Sequence, residues 1–81
     1  MRMALLAVLA AEQQSEKLAV LAHTIVGSAA NLGASDLQRT ARMLENDARE
    51  KKWLAVHASL ISTEQAWGQL QAELAKLTSG N

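Results

Sequence analysis

The stretch Leu21-Ala22-His23-Thr24-Ile25-Val26-Gly27-Ser28-Ala29-Ala30-Asn31-Leu32-Gly33-Ala34 decides how this chain is read. Placed on a helix at about 100° per residue, Leu18, Leu21, Ala22, Ile25, Ala29 and Leu32 share one side and form a core stripe. His23 then falls roughly 150° from the centre of that stripe, so it should face water. Gly27, a turn later, lies almost opposite the core. Around His23 the outward surface carries Ala19, Val20, Val26, Gly27 and Ala30, small and apolar where a solvent face is ordinarily charged. An imidazole on display among small residues is the feature a functional reading has to explain.

Outward from this stretch the chain reads as helix on both sides. Met1 to about Gln13 is an apolar first helix with Leu5, Leu6, Val8 and Leu9 on its broad face. The same residues resemble a short secretory signal, but its removal would leave the remainder short of a bundle partner, so the helix reading is preferred. Gln13-Gln14-Ser15 is a polar break with Ser15 as N-cap of the second helix, and Gly33 is placed to stop that helix after Leu32. Ser35 opens a third helix, with Gln38 completing a capping-box signature. Its core positions are Leu37, Thr40, Ala41, Leu44 and Ala48; Arg39, Arg42, Asn46 and Arg49 point outward. After the charged connection Glu50-Lys51-Lys52, a fourth helix starts near Trp53 and carries Val56, Leu60, Thr63, Trp67, Leu70, Leu74 and Leu77, the most regular apolar pattern in the chain. Gly68 interrupts it at a cost of about 1 kcal/mol relative to Ala. The last residues, Thr78 to Asn81, should fray. Short connections make neighbouring helices antiparallel, so the expected architecture is all-α, an up-down four-helix bundle forming one domain over residues 1–81.

Composition narrows the function classes. The chain has 81 residues, no proline and no cysteine, so disulfide frameworks and thiolate metal sites are excluded. Its formal charge balances at zero and Trp53 and Trp67 are its only aromatics, which leaves no electrostatic footprint or stacking platform for nucleic acid. No apolar run approaches the roughly 20 residues that span a bilayer. Trp67 belongs on the core stripe, and Trp53 is placed to cover the end of the bundle.

His23 is the first candidate for chemistry. Gly27 sits mid-helix, where glycine costs stability, and close approach by something large is a reason to keep it. Neutral imidazole is a competent nucleophile near neutral pH without a dedicated base. Metal binding is a weak competitor, because the other histidine, His57, reads as a boundary residue of the fourth helix and no ligand spacing accompanies His23. A serine-type triad fails as well: Ser28 lies on the flank of the same helix, and no acid is evident to orient His23. In an antiparallel hairpin Arg42 and Glu45 come near the height of His23, with Arg49 beyond. Gln38, Arg42, Glu45 and Arg49 form a stripe that reads either as a solvated face held by Arg42–Glu45 and Glu45–Arg49 pairs, or as a surface for a phosphoryl group or an acidic partner.

These residues resemble a known signature. Ala22-His23-Thr24-Ile25-Val26-Gly27-Ser28-Ala29-Ala30-Asn31-Leu32-Gly33-Ala34 is similar to the pattern Ala-His-x-Leu-Lys-Gly-Ser-Ala-x-x-Leu-Gly-Ala of histidine phosphotransfer (HPt) domains of bacterial phosphorelays, and the similarity continues through Leu37 and Leu44-Glu45 to about residue 77. The resemblance implies a cytoplasmic signalling intermediate, not a turnover enzyme. His23 would be the phospho-acceptor, with Val26, Gly27, Ser28 and Asn31 around the phosphorylation site. Ala19, Val20, Ala30, Arg42, Glu45 and Arg49 would dock the partners, which would be response-regulator receiver domains and a histidine kinase. The receiver would supply Mg²⁺, and the module itself would hold no cofactor or metal. In place of the family's Lys this chain has Val26, which favours an alternative: a degenerate module that binds a receiver or kinase without phosphotransfer. Family members often carry a further N-terminal helix. Its absence is expected either of a domain excised from a hybrid sensor kinase or of a bundle whose apolar end forms a homodimer. A plain helical oligomerisation module is the third reading.

Overall fold

The computed structural model describes residues 3–79. Its helices are α1 Met3–Ala11, α2 Ser15–Leu32, α3 Ser35–Arg49 and α4 Trp53–Ser79. Each packs on the next, and α4 closes the ring onto α1, so α2 and α4 stand across the diagonal. The start of α2 meets the end of α3, where Ser15 Oγ donates to the Ala48 carbonyl at 2.6 Å. The end of α3 meets the start of α4, where Ser59 Oγ donates to Asp47 Oδ2 at 2.7 Å. Both contacts fit the up-down bundle that the short connections require.

The three connections use one device. Gly33 adopts φ 69°, its N–H bonds to the Ala30 carbonyl and the Ala34 N–H to the Ala29 carbonyl, a Schellman stop. The same pair of bonds recurs after α1, from Gln13 to Ala10 and from Gln14 to Leu9, and after α3, from Lys51 to Ala48 and from Lys52 to Asp47. At those two turns Gln13 (φ 53°) and Lys51 (φ 57°) hold the left-handed position that glycine takes at the first. A side chain there costs about 1 kcal/mol, so two of the three turns are strained. The predicted N-caps differ: Gln14 and Ala34 occupy the cap positions and neither makes a side-chain cap bond. Ser15 is instead the first helical residue, with its hydroxyl spent on α3, and Ser35 opens α3 without a capping box.

Leu6, Leu18, Ile25, Leu37, Leu44, Val56 and Thr63 are the largest fully buried side chains, one or two from each helix. The buried hydroxyls are satisfied locally, Thr63 by the Ser59 carbonyl at 2.7 Å and Thr40 by the Asp36 carbonyl at 3.0 Å. All the core positions expected on α3 are buried. Elsewhere the stripes overreach. Val8 is exposed on α1, as is Leu32 at the end of α2. Leu74 and Leu77 lie on the apolar side of α4 and yet are exposed, at 43% and 80%. Relative length explains this. The 9 residues of α1 rise about 14 Å and the 15 of α3 about 22 Å, while the 27 of α4 rise about 40 Å. The far turns of α4 therefore have no helix beside them. Ser59 and Ala66 are buried on α4, and Trp53, Trp67 and Leu70 are half-buried against the core. Thr78 and Ser79 continue the helix, where fraying was expected; Gly80 and Asn81, and Met1 and Arg2 of the expected first helix, lie outside the described residues.

Candidate functional site

Apolar spacing turns one side of α2 toward the core, and His23 stands on the other with 71% of its side chain exposed. Its Nδ1 faces the carboxylate of Glu45 on α3, 3.3 Å from Oε1 and 3.2 Å from Oε2. Glu45 is 13% exposed and is held from its own helix by Arg49, whose Nε and Nη2 donate to Oε2 at 3.2 and 2.9 Å. Burial alone would raise the Glu45 carboxyl. The hydrogen bonds from Arg49 and His23, with the charges of the two side chains, outweigh it and hold the group below its ordinary value. Glu45 is thus ionised near neutral pH and can only accept, so the bond needs the imidazole proton on Nδ1. In the neutral ring the lone pair is then on Nε2, directed away from Glu45. A fixed tautomer with its free nitrogen outward is what a nucleophilic imidazole requires.

This acid corrects the sequence reading, which found none to orient His23. Helix spacing put Glu45 at the right height; only the rotation of α3 about its axis decides that the carboxylate turns inward to His23. Glu45 is accordingly a hydrogen-bond partner of the imidazole. Of the two expected pairs on its stripe, Glu45–Arg49 forms and Arg42–Glu45 does not. Arg42 is exposed and makes no ion pair or hydrogen bond among the described residues. Arg49 is exposed but engaged by Glu45.

The apolar ring is also smaller than expected. Val20 and Ala30 are exposed, as the docking assignment needs. Ala19 is fully buried and Val26 is 8% exposed, so neither belongs to a docking surface. The reason is that α2 packs against both α1 and α3 and buries a wider arc than one stripe. Small residues permit that close packing: Ala19, Ala22 and Ala29 on α2 and Ala41 and Ala48 on α3 are all at 0% exposure. Gly27 is exposed, and a Cβ built on it meets nothing within 4 Å. Ser28 is half-buried and Asn31 exposed, and His57 is exposed on α4, away from this face. An open apolar groove between α1 and α2, lined by Leu5, Leu9, Val20, Leu21 and Thr24, borders the His23 helix with Lys17 on its rim. Among the described residues no three His, Cys, Asp or Glu side chains gather as metal ligands, and no helix is long and apolar enough to cross a membrane.

Comparison with known proteins adds one match. The family model described as Hpt domain covers residues 1–80 of the chain. No curated protein and no solved structure matches it.

Proposed function

The chain belongs to the family of Hpt domains, the histidine phosphotransfer modules of two-component phosphorelays, and on that premise we propose that His23 is its phospho-acceptor. Nε2 attacks the phosphorus of an aspartyl phosphate on a receiver domain. The Nε2–P bond forms as the P–O bond to the receiver's carboxylate breaks, and the carboxylate leaves with the electron pair. The imidazole proton stays on Nδ1 against Glu45, whose charge offsets the positive charge growing on the ring. The receiver brings its own Mg²⁺ and most of the electrostatic stabilisation of the phosphoryl group in flight. Running the same step backwards hands the group to a second receiver. Val20, Gly27 and Ala30 offer a low surface for docking, and Arg42 offers an uncommitted cation at its edge.

The observation that carries this reading is the Nδ1–Glu45 bond, which leaves Nε2 outward beside a glycine that adds no side chain. Mixing the domain with phosphorylated receivers and following the label tests it. Label should pass to the wild type and not to His23→Gln. If no receiver labels the wild type although receivers bind it and His23→Gln equally well, phosphotransfer is wrong.

Val26 favours the second reading, a module that docks without transfer, because an apolar residue stands where the family pattern has a lysine. Val26→Lys discriminates between them. A large gain in transfer marks a site weakened in this chain; because Val26 is packed into the core, the opposite outcome counts for docking without transfer when the variant keeps the helical circular dichroism and receiver binding of the wild type and still accepts no phosphate.

A further inference from the structure

Behind the carboxylate that faces His23 stands a third side chain, so that imidazole, carboxylate and guanidinium form a line across the contact of α2 with α3. Arg49 Nε and Nη2 both close on Glu45 Oε2, at 3.2 and 2.9 Å, while Oε1 meets Nδ1 of His23 at 3.3 Å. Glu45 precedes Arg49 by one turn of α3, the favoured order for such a pair, and the cation lies in the last turn of its helix, where the dipole also favours it. The neighbouring Ala48 carbonyl accepts from Ser15 of α2 at 2.6 Å, so the end of α3 that bears Arg49 is pinned to α2. His23 itself is 71% exposed. A contact in so open a position holds weakly by itself, because water competes for both ends and the torsions of the glutamate must be frozen. Among the described residues no further charge backs it. The helix α1 carries none, Glu16 and Lys17 lie roughly 9–10 Å down the axis of α2, Arg42 makes no ion pair with Glu45, and α4 stands across the diagonal.

Resting on the reading of His23 as the phospho-acceptor, we propose that Arg49 is a positioning residue. It clamps the Glu45 carboxylate before any partner arrives, so that the neutral ring keeps its proton on Nδ1 and its lone pair on the outward Nε2. Arg49 acts through Glu45 and makes no contact of its own with the phosphoryl group. Its bonds and its charge pull in opposite directions, which makes the clamp decidable. The bonds hold the carboxylate against Nδ1 and favour the Nδ1–H tautomer; the charge offsets the carboxylate and disfavours it. Without Arg49, a carboxylate that stayed in place would draw the proton to Nδ1 more strongly, and one that turned into water would let it go. The exposure of the ring selects the second course, because the remaining bond is too weak to freeze the glutamate alone.

Ring-nitrogen chemical shifts of the whole chain, unphosphorylated and without a receiver, read the tautomer at about pH 9, where an ordinary imidazole is neutral. The chain has two histidines, and His57, exposed on α4 and without a partner among the described residues, is the internal reference. Arg49 is 56% exposed, so Arg49→Met should keep the helical circular dichroism of the wild type. It should lower the ratio of Nδ1–H to Nε2–H in His23 at least about threefold and leave His57 unchanged. A smaller fall, or a rise, overturns the proposal. Labelling by phosphoramidate, a small donor that needs no docking, gives the second readout. Arg49→Met should slow it by no more than Glu45→Ala does, and should slow it no further in the Glu45→Ala background, because a residue that acts through another is silent once the other is gone. Equal slowing in both backgrounds puts the guanidinium on the phosphoryl group itself and overturns the positioning role. The clamp and the acceptor role fail separately. A domain that takes no label but shows the expected tautomer shift loses the acceptor role and keeps the clamp; a domain that takes label with a ratio indifferent to Arg49 does the reverse.

Discussion

Replacing Glu45 with Gln should slow phosphoryl transfer to His23 by about three- to eightfold while leaving the fold and receiver binding in place. The magnitude follows from the pairing. Nδ1 lies 3.2 Å from Oε2, and a full charge on the ring at that distance gains about 1.3 kcal/mol at the dielectric of water and about 5 kcal/mol at the value suited to a protein surface. With 71% of the His23 side chain exposed, the lower figure is the better guide, and Arg49 already neutralises part of the carboxylate. About 0.7–1.2 kcal/mol of differential stabilisation therefore remains, where each 1.4 kcal/mol is a factor of ten in rate. Gln keeps an oxygen that accepts from Nδ1–H, so orientation largely survives and the loss isolates charge. Rapid-quench transfer from a phosphorylated receiver gives the rate. Labelling by phosphoramidate, a small donor that needs no docking, should fall by the same factor. Rates within twofold of wild type with both donors would refute the assignment of Glu45 as the electrostatic partner of the ring. A fall with the receiver alone would make Glu45 a docking residue after all.

Other expectations test separate parts of the structure. Gly27→Ala should stabilise the fold by about 1 kcal/mol in urea denaturation, whereas Gly27→Phe should stay folded, accept phosphate from phosphoramidate and lose transfer from receivers by tenfold or more. Leu44→Ala, in the fully buried core, should cost about 3 kcal/mol, and Leu77→Ala, on the overhang of α4, should stay within about 0.5 kcal/mol of wild type although both lie on apolar stripes. Lys51→Gly should relieve the left-handed turn after α3 and raise stability by no more than about 0.5 kcal/mol, net of the extra freedom glycine gives the unfolded chain, as read from urea midpoints. The Glu45 carboxyl is held below its ordinary value in the fold. Its contribution is fully present above the unfolded value and is lost as pH falls through the lowered one. The stability gap between wild type and Glu45→Gln should therefore be constant near neutrality and close below about pH 4, as read from urea midpoints at each pH.

What the sequence determined by itself is what short-range physics encodes. Alternating intervals of three and four laid out the helices, and Gly33 marked a turn that needs a left-handed residue. The stretch around His23 and Gly27 carried the family pattern and the exposure of the imidazole, because both follow from spacing within a single helix. Tertiary structure decided what depends on two helices at once. Ala19 and Val26 are buried because α2 meets α3 as well as α1, and no pattern along α2 reports how many neighbours it has. Leu74 and Leu77 are exposed because α4 outruns its partners, a comparison of lengths that its own apolar stripe does not contain. Glu45 reached the height of His23 by counting, but its contact with Nδ1 depends on the rotation of α3, which the packing of Leu37, Ala41, Leu44 and Ala48 sets. The exposed imidazole was thus legible in the chain, and the acid that faces its Nδ1 came into view only when the helices were packed.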